Sequence, residues 1–295
     1  MIDLVGLTHH LGFVLGARCG VRDPATARDA LAHAAAQQEL HRGRQWRPLL
    51  DTAVAAQFLC GASDAWESWR RSTDSYNQGI LLWLEADALI RRGSGGARSL
   101  DDFCRRFHGG ADGGPVVKPY TYDEVIAAMG EVARHDWRRF FDAHLQATGP
   151  HAPLAGIGAC GWRLAWADTL STFEQAIESC AKRTEMQYSI GLMLSDDAGI
   201  IDVIPGSAAA RAGMAPGMTL LAVTGRRYTP KVLRAAVKAS KGATRPLELL
   251  AEQADYYRTF RLDYHGGEKY PVLERLSGRP DVLGAILAPQ AGAAR

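Results

Sequence analysis

The apolar residues change their period near residue 150, and that change divides the chain into a helical half and a strand-rich half. Upstream, Leu4, Leu7, Leu11, Val14 and Leu15 fall at helical spacing and Cys19-Gly20 supplies a stop. Asp23-Pro24 opens a second, alanine-rich helix to about Leu40. The polar run from Ser72 to Ser75 precedes Ile80 to Leu84, Leu89 and Ile90, a capped and mostly buried helix ending at Gly93. Ser99 with Asp102 and Thr121 with Glu124 are capping boxes that start two more helices, and Asp136 caps an element bearing Trp137, Phe140, Phe141 and Leu145. Downstream, short apolar segments at 190–194, 199–204, 220–224, 246–251 and 257–262 are punctuated by Gly and Pro and read as strands. Helical pieces at 207–212 and 231–240 lie between them. The expected fold class is α+β, with a helical part at 1–150, a linker and strand at 151–185, a small β-rich domain at 186–265 and a tail at 266–295.

A chain of 295 residues is long enough for two such units, each with its own core. Its 34 Lys+Arg nearly balance 32 Asp+Glu, so neither nucleic acid nor an anionic membrane surface is an expected partner. The longest apolar stretches, such as Gly79 to Leu84, fall far short of the roughly 20 residues of a membrane span. Cys19, Cys60, Cys104, Cys160 and Cys180 are scattered, without a C-x-x-C pair, and favour a reducing, cytoplasmic compartment. The opening Met-Ile-Asp-Leu-Val-Gly-Leu shows no signal-peptide pattern. An unpartnered apolar face on the first helix would favour a homo-oligomer.

The β-rich half carries Val203-Ile204-Pro205-Gly206-Ser207-Ala208-Ala209-Ala210-Arg211-Ala212-Gly213, then Gly217 and Leu220 to Gly225. This run resembles that of bacterial protease-associated PDZ domains, with Met218 where those domains usually have an acidic residue. The resemblance implies recognition of peptides or protein C-termini by strand addition, the carboxylate held by the amides of Ile190, Gly191 and Leu192 and the groove walled by the helix from Lys231 to Ser240. Equally open at this stage is a groove filled by the chain's own segments.

Val5 to Gly20, Gly43-Arg44, Leu50 to Ala53, Ser75 to Asp87, Ser99 to Phe103 and Tyr264 to Arg275 follow one another in the order of motifs of the glycyl aminopeptidases, a family of gluzincin zinc metallopeptidases. The resemblance implies the all-helical C-terminal portion of a thermolysin-like peptidase domain, and release of N-terminal Gly or Ala from peptides in intact relatives. In that scheme Tyr76 donates a hydrogen bond to the oxyanion of the tetrahedral intermediate. Two positions depart from the family: Val5 stands where the third zinc ligand, a Glu, is expected, and Gln78 replaces the Lys of the Tyr-x-Lys-Gly motif.

The zinc helix with His-Glu-x-x-His is not in the sequence, and the nine histidines show no ligand spacing of their own. His9 and His10 are adjacent and point about 100° apart on a helix; His33, His41, His108, His135, His144, His151 and His265 are isolated. The expectation is therefore no metal or other cofactor in this chain, zinc belonging to intact relatives. Two readings follow: a truncated or degenerate member of the aminopeptidase family, inactive as this chain, or a non-catalytic peptide-binding or scaffold protein acting through its PDZ domain.

Overall fold

The computed structural model describes residues 2–59, 61, 65–110 and 117–289, with side chains from Gly6 onward. The helical half comprises α1 (Ile2–Arg18), α2 (Pro24–Leu40), the short α3 (Leu49–Val54), α4 (Ala56–Leu59) and α5 (Glu67–Arg70), then α6 (Ser75–Gly93), α7 (Leu100–His108), α8 (Tyr122–Val132), α9 (Trp137–Gln146) and α10 (Ala155–Ala159). Both capping boxes form: the Asp102 carboxylate accepts from Ser99 N–H at 2.8 Å, and that of Glu124 from Thr121 N–H at 2.6 Å. α6 is the central element. Leu82, Trp83, Ala86 and Ile90 pack against Phe103, Met129, Trp137 and Phe141, while Ile80, Leu81 and Leu84 pack against Phe13, Leu31 and Ile157.

α1 and α6 meet where neither has a side chain. A Cβ added to Gly6 would stand 3.0 Å from Gly79 Cα, so two glycines let the two backbones touch.

Beyond α10 come β1 (Trp162–Ala167), α11 (Thr172–Ala181), β2 (Arg183–Met186), β3 (Leu192–Ser195), β4 (Ile200–Val203), α12 (Ala208–Ala212), β5 (Thr219–Val223), β6 (Arg226–Arg227), α13 (Pro230–Ala239), β7 (Leu247–Gln253), β8 (Tyr256–Leu262), β9 (Tyr270–Arg275) and α14 (Val282–Leu287). β2–β3–β4 form one antiparallel sheet and β6–β5–β7–β8 another. They close on a core of Leu192, Leu194, Leu220, Leu233, Val237, Leu249 and Phe260. The strand positions agree with the alternation read from the sequence to within a few residues, and the architecture is α+β.

Two segments differ from the sequence reading. Residues 151–185, expected as linker and strand, also hold α11; residues 266–295, expected as a tail, hold β9 and α14 within their described part. β9 pairs antiparallel with β1, Trp162 opposite Arg275 and Ala167 opposite Tyr270. Leu283, Ile286 and Leu287 of α14 join Trp162 in the core with Phe13 and Leu81. The chain thus returns to the helical body after its β-rich excursion. α14 is 6 residues long, too short for a periodic pattern, and Asp281 caps it with a 2.9 Å bond from Gly284 N–H.

Among the described residues no helix is long and apolar enough to cross a membrane, and Cys19, Cys104, Cys160 and Cys180 are free thiols. Cys60 lies outside the described residues.

Candidate functional site

A cleft of about 900 Å³ opens between α1, α2, the start of α6 and α11, and Tyr76 stands in its wall. The phenol lies in the first turn of α6, 47% exposed, its ring meeting that of His9 edge-on at 5.6 Å between centroids. Thr8 and Gly12 of α1, His33 and Gln37 of α2, and Phe173, Ile177 and Cys180 of α11 complete the walls. Asn77 Nδ2 donates to Gln37 Oε1 at 2.7 Å and ties the mouth of the cleft to α2. Burial, helped by the nearby Arg22 charge, holds the His9 imidazole below its ordinary pKa, which favours its neutral form beside the phenol.

The position of Tyr76 rests on a buried ionic network under the helix start. Asp74, the residue before α6, receives His41 Nδ1 at 3.2 Å on one carboxylate oxygen and Arg71 Nε at 3.2 Å on the other. Burial alone would raise the Asp74 pKa, but the His41 and Arg71 charges outweigh it and hold the carboxyl below its ordinary value. His41 is raised correspondingly, Asp74 overcoming the opposing effect of burial. Gln78, at the position of the family lysine, is buried and accepts a hydrogen bond from Arg71 through Oε1, so it joins this network and is not a wall of the cleft. A lysine there would set an ammonium against the Arg71 guanidinium, and a neutral acceptor suits the site. Arg44, of the Gly43-Arg44 pair, is buried as well and donates from Nε to Gly149 O at 3.2 Å; desolvation lowers it to about 10.

The second predicted site lies elsewhere. The amides of Ser189, Ile190 and Gly191 converge on a single acceptor, the Met186 carbonyl oxygen, at 3.2, 3.1 and 3.0 Å. Leu192 is buried and pairs with Met186 on one side and Val203 on the other. Gly191 adopts φ +86°, and a Cβ there would run into the Ser207 side chain. β2 therefore occupies the edge of β3 facing α13. Arg234 of α13 reaches the Met186 sulfur at 3.5 Å and pairs with Glu178 and Tyr270.

The fold also assembles a group that the sequence reading had not joined. His33 of α2, Glu174 in the first turn of α11 and Glu185 of β2 place one donor atom each within 4.8 Å of one another, all three residues buried. Residues 33 and 174 are 141 positions apart, and no local spacing could have signalled them.

Residues 4–82, which include Tyr76, match the family model of the M61 glycyl aminopeptidases. Over that stretch the chain is similar to the glycyl aminopeptidases. Among solved structures it is similar to the crystal structure of an aminopeptidase N family protein from Idiomarina loihiensis, with a TM-score of 0.65 and 18% identity over 96% of this chain. That likeness is one of fold, and the chain spans 48% of the length of that structure. No curated protein matches it. The residues present do not fit the catalytic zinc of the glycyl aminopeptidases: His-Glu-x-x-His occurs nowhere in the sequence, and Val5 offers no donor atom. The backbone of Val5 lies in α1, and its side chain falls outside the described residues.

Proposed function

We propose that this chain carries the helical wall of a glycyl-aminopeptidase-type cleft, with Tyr76 in the oxyanion-donor position, and that by itself it does not hydrolyse peptides. The observation that carries the reading is the phenol of Tyr76, half exposed at the start of a buried helix and facing a cleft wide enough for a peptide terminus. A phenolic O–H can donate a hydrogen bond to a developing oxyanion. His9 and Asn77 flank it and would orient a bound N-terminal residue, while Gly12 and Ala34 in the lining leave room for a small side chain. The same residues supply no attacking hydroxide, since the family's zinc ligands have no counterpart among them, and decay of the hydrolytic site accounts for both Val5 and Gln78.

The β-rich unit supports a second statement. Its element order and its run from Ile204 to Gly217 resemble those of a PDZ-type module, and on that reading the strand-addition edge is taken by β2, with Met186 O in the place of a ligand carboxylate oxygen. We assign the module a clamping role between α11 and the helical body; recognition of free C-termini would need β2 to leave.

The test is turnover. The purified 295-residue chain, supplied with Zn²⁺, is expected to release no chromophore from glycyl or alanyl anilides. Turnover that is abolished by Tyr76→Phe, with the fold intact by circular dichroism, would overturn the inactivity and keep the tyrosine.

A further inference from the structure

The buried group of His33, Glu174 and Glu185 has no part in the cleft chemistry just described. Three separate elements deliver it, and each side chain is held in place. His33 Nδ1 lies 2.8 Å from Glu174 Oε1, with the edge of the imidazole against Phe173 at 5.9 Å between centroids. The Glu174 N–H is capped by Ser171 Oγ at 3.2 Å, which fixes the first turn of α11. Glu185 Oε2 accepts from Gln187 Nε2 at 3.0 Å, and its backbone N–H donates to Glu178 Oε1 at 2.7 Å. Glu185 Oε1 is different: Arg183 Nη2 comes within 2.6 Å but outside hydrogen-bond geometry, so this oxygen, on a residue 3% exposed, has no hydrogen-bond donor. Arg183 Nε is likewise buried without an acceptor. Two carboxylates thus share one permanent cation in a buried space, a charge balance that a second cation would correct.

We propose that His33, Glu174 and Glu185 form a binding site for a divalent transition-metal ion of the Zn²⁺ class, one that fastens α2 to α11 and β2. An imidazole nitrogen with two carboxylate oxygens is a donor set for Zn²⁺ in preference to Mg²⁺ or Ca²⁺, which take oxygen alone. Zinc holds such atoms at about 2.0–2.2 Å, and ligands about 3.3 Å apart result from tetrahedral placement. The His33–Glu174 hydrogen bond therefore opens by only about half an ångström when the ion replaces its proton. The Glu185 oxygen that lacks a hydrogen-bond donor becomes the third ligand, and Arg183 stays as the outer partner of that carboxylate. Access runs through the cleft, where His33 and Arg183 both stand in the wall. Burial, reinforced by the charges of Glu185 and Glu174, raises the Tyr188 hydroxyl well above its ordinary pKa, so it adds no competing charge.

The experiment uses the whole 295-residue chain, stripped with EDTA and titrated with Zn²⁺ alone, with Mg²⁺ as the counter-probe. Calorimetry and elemental analysis are expected to give one zinc per chain and no magnesium, and bound zinc should raise the melting temperature. Glu185→Gln and His33→Ala, checked for folding by circular dichroism, should each weaken zinc by more than about 100-fold, since loss of an outer-shell partner alone costs 10- to 100-fold. Should either variant fail to fold, the Co²⁺ spectrum of the wild-type chain decides: nitrogen and oxygen ligands without a thiolate charge-transfer band support the site. Such a band would assign the ion to Cys180 in the same cleft and overturn the proposal. Uptake unchanged in the folded variants, or no stoichiometric uptake at all, would overturn it too. None of these readouts depends on peptide turnover.

Discussion

Replacing Gly79 by alanine tests the contact on which the placement of Tyr76 depends. The new Cβ would press on Gly6 Cα and stand 3.2 and 3.3 Å from the Gly6 carbonyl carbon and oxygen. These are backbone atoms of α1, so relief requires the helices to move apart and not a side chain to turn. Overpacking of this kind costs about 1–3 kcal/mol, and a rigid backbone neighbour argues for the upper part of that range. Against it stands the ordinary gain of about 1 kcal/mol when alanine replaces glycine inside a helix. The net expectation for Gly79→Ala is a loss of about 1–2 kcal/mol. Gly12→Ala on α1 is the control, because nothing lies within 4 Å of its added Cβ, and it should stabilise by up to about 1 kcal/mol. Urea unfolding followed by far-ultraviolet circular dichroism measures both, and a two-variant difference of about 2–3 kcal/mol is the signature. If Gly79→Ala is as stable as Gly12→Ala, the glycine-on-glycine contact does not exist and the cleft wall is set in some other way.

Acid should weaken the fold through His10, which is buried, donates from Nδ1 to Ile80 O at 3.3 Å, and is pushed down to about 4 from 6.5, chiefly by burial. The unfolded chain takes up the proton near 6.5 and the folded chain only near 4, so this stability is complete above about pH 6.5 and is lost as pH falls toward 4. It amounts to about 3 kcal/mol, and in paired urea titrations at pH 7 and pH 4.5 His10→Gln should lose less stability than the wild type; equal losses would sink the assignment. A fluorescent peptide with a free apolar C-terminus should show no polarisation change with the wild-type chain up to about millimolar concentration, because β2 fills the β3 edge. Saturable micromolar binding at that edge would mean that β2 is readily displaced.

The parts of the fold that follow from local rules could be read from the sequence, and those that follow from distant pairing could not. Ser99 and Thr121 announced their helices because a capping box needs only four residues. The strands from β3 to β8 follow the alternation of apolar residues between glycines and prolines. β9 lacks that mark, since Pro271 interrupts it and its partner β1 lies more than a hundred positions upstream. The motif singled out Tyr76, which stands in the wall of the cleft, while the use of Gln78 was not legible: only the fold brings Arg71 to it, and Arg71 itself sits at φ +54°, a conformation no pattern of hydrophobicity predicts. His33 looked isolated for the same reason. A ligand group made from a helix, a helix start and a strand has no period.

β2 links these separate features in four residues. Arg183 stands in the cleft wall, Glu185 joins the buried group with His33 and Glu174, and Met186 presents its carbonyl oxygen to the three amides of the following turn. Alternation along the strand places Glu185 and Met186 on opposite faces, so one strand can serve the helical body and the β-rich unit together. Displacing β2 from β3 would therefore pull Glu185 away from His33, and an ion held by those residues would resist the displacement by its own binding free energy. The coupling is reciprocal. A peptide that competes for the β3 edge must weaken zinc, and zinc must weaken the peptide by the same factor, whichever of the two is added first.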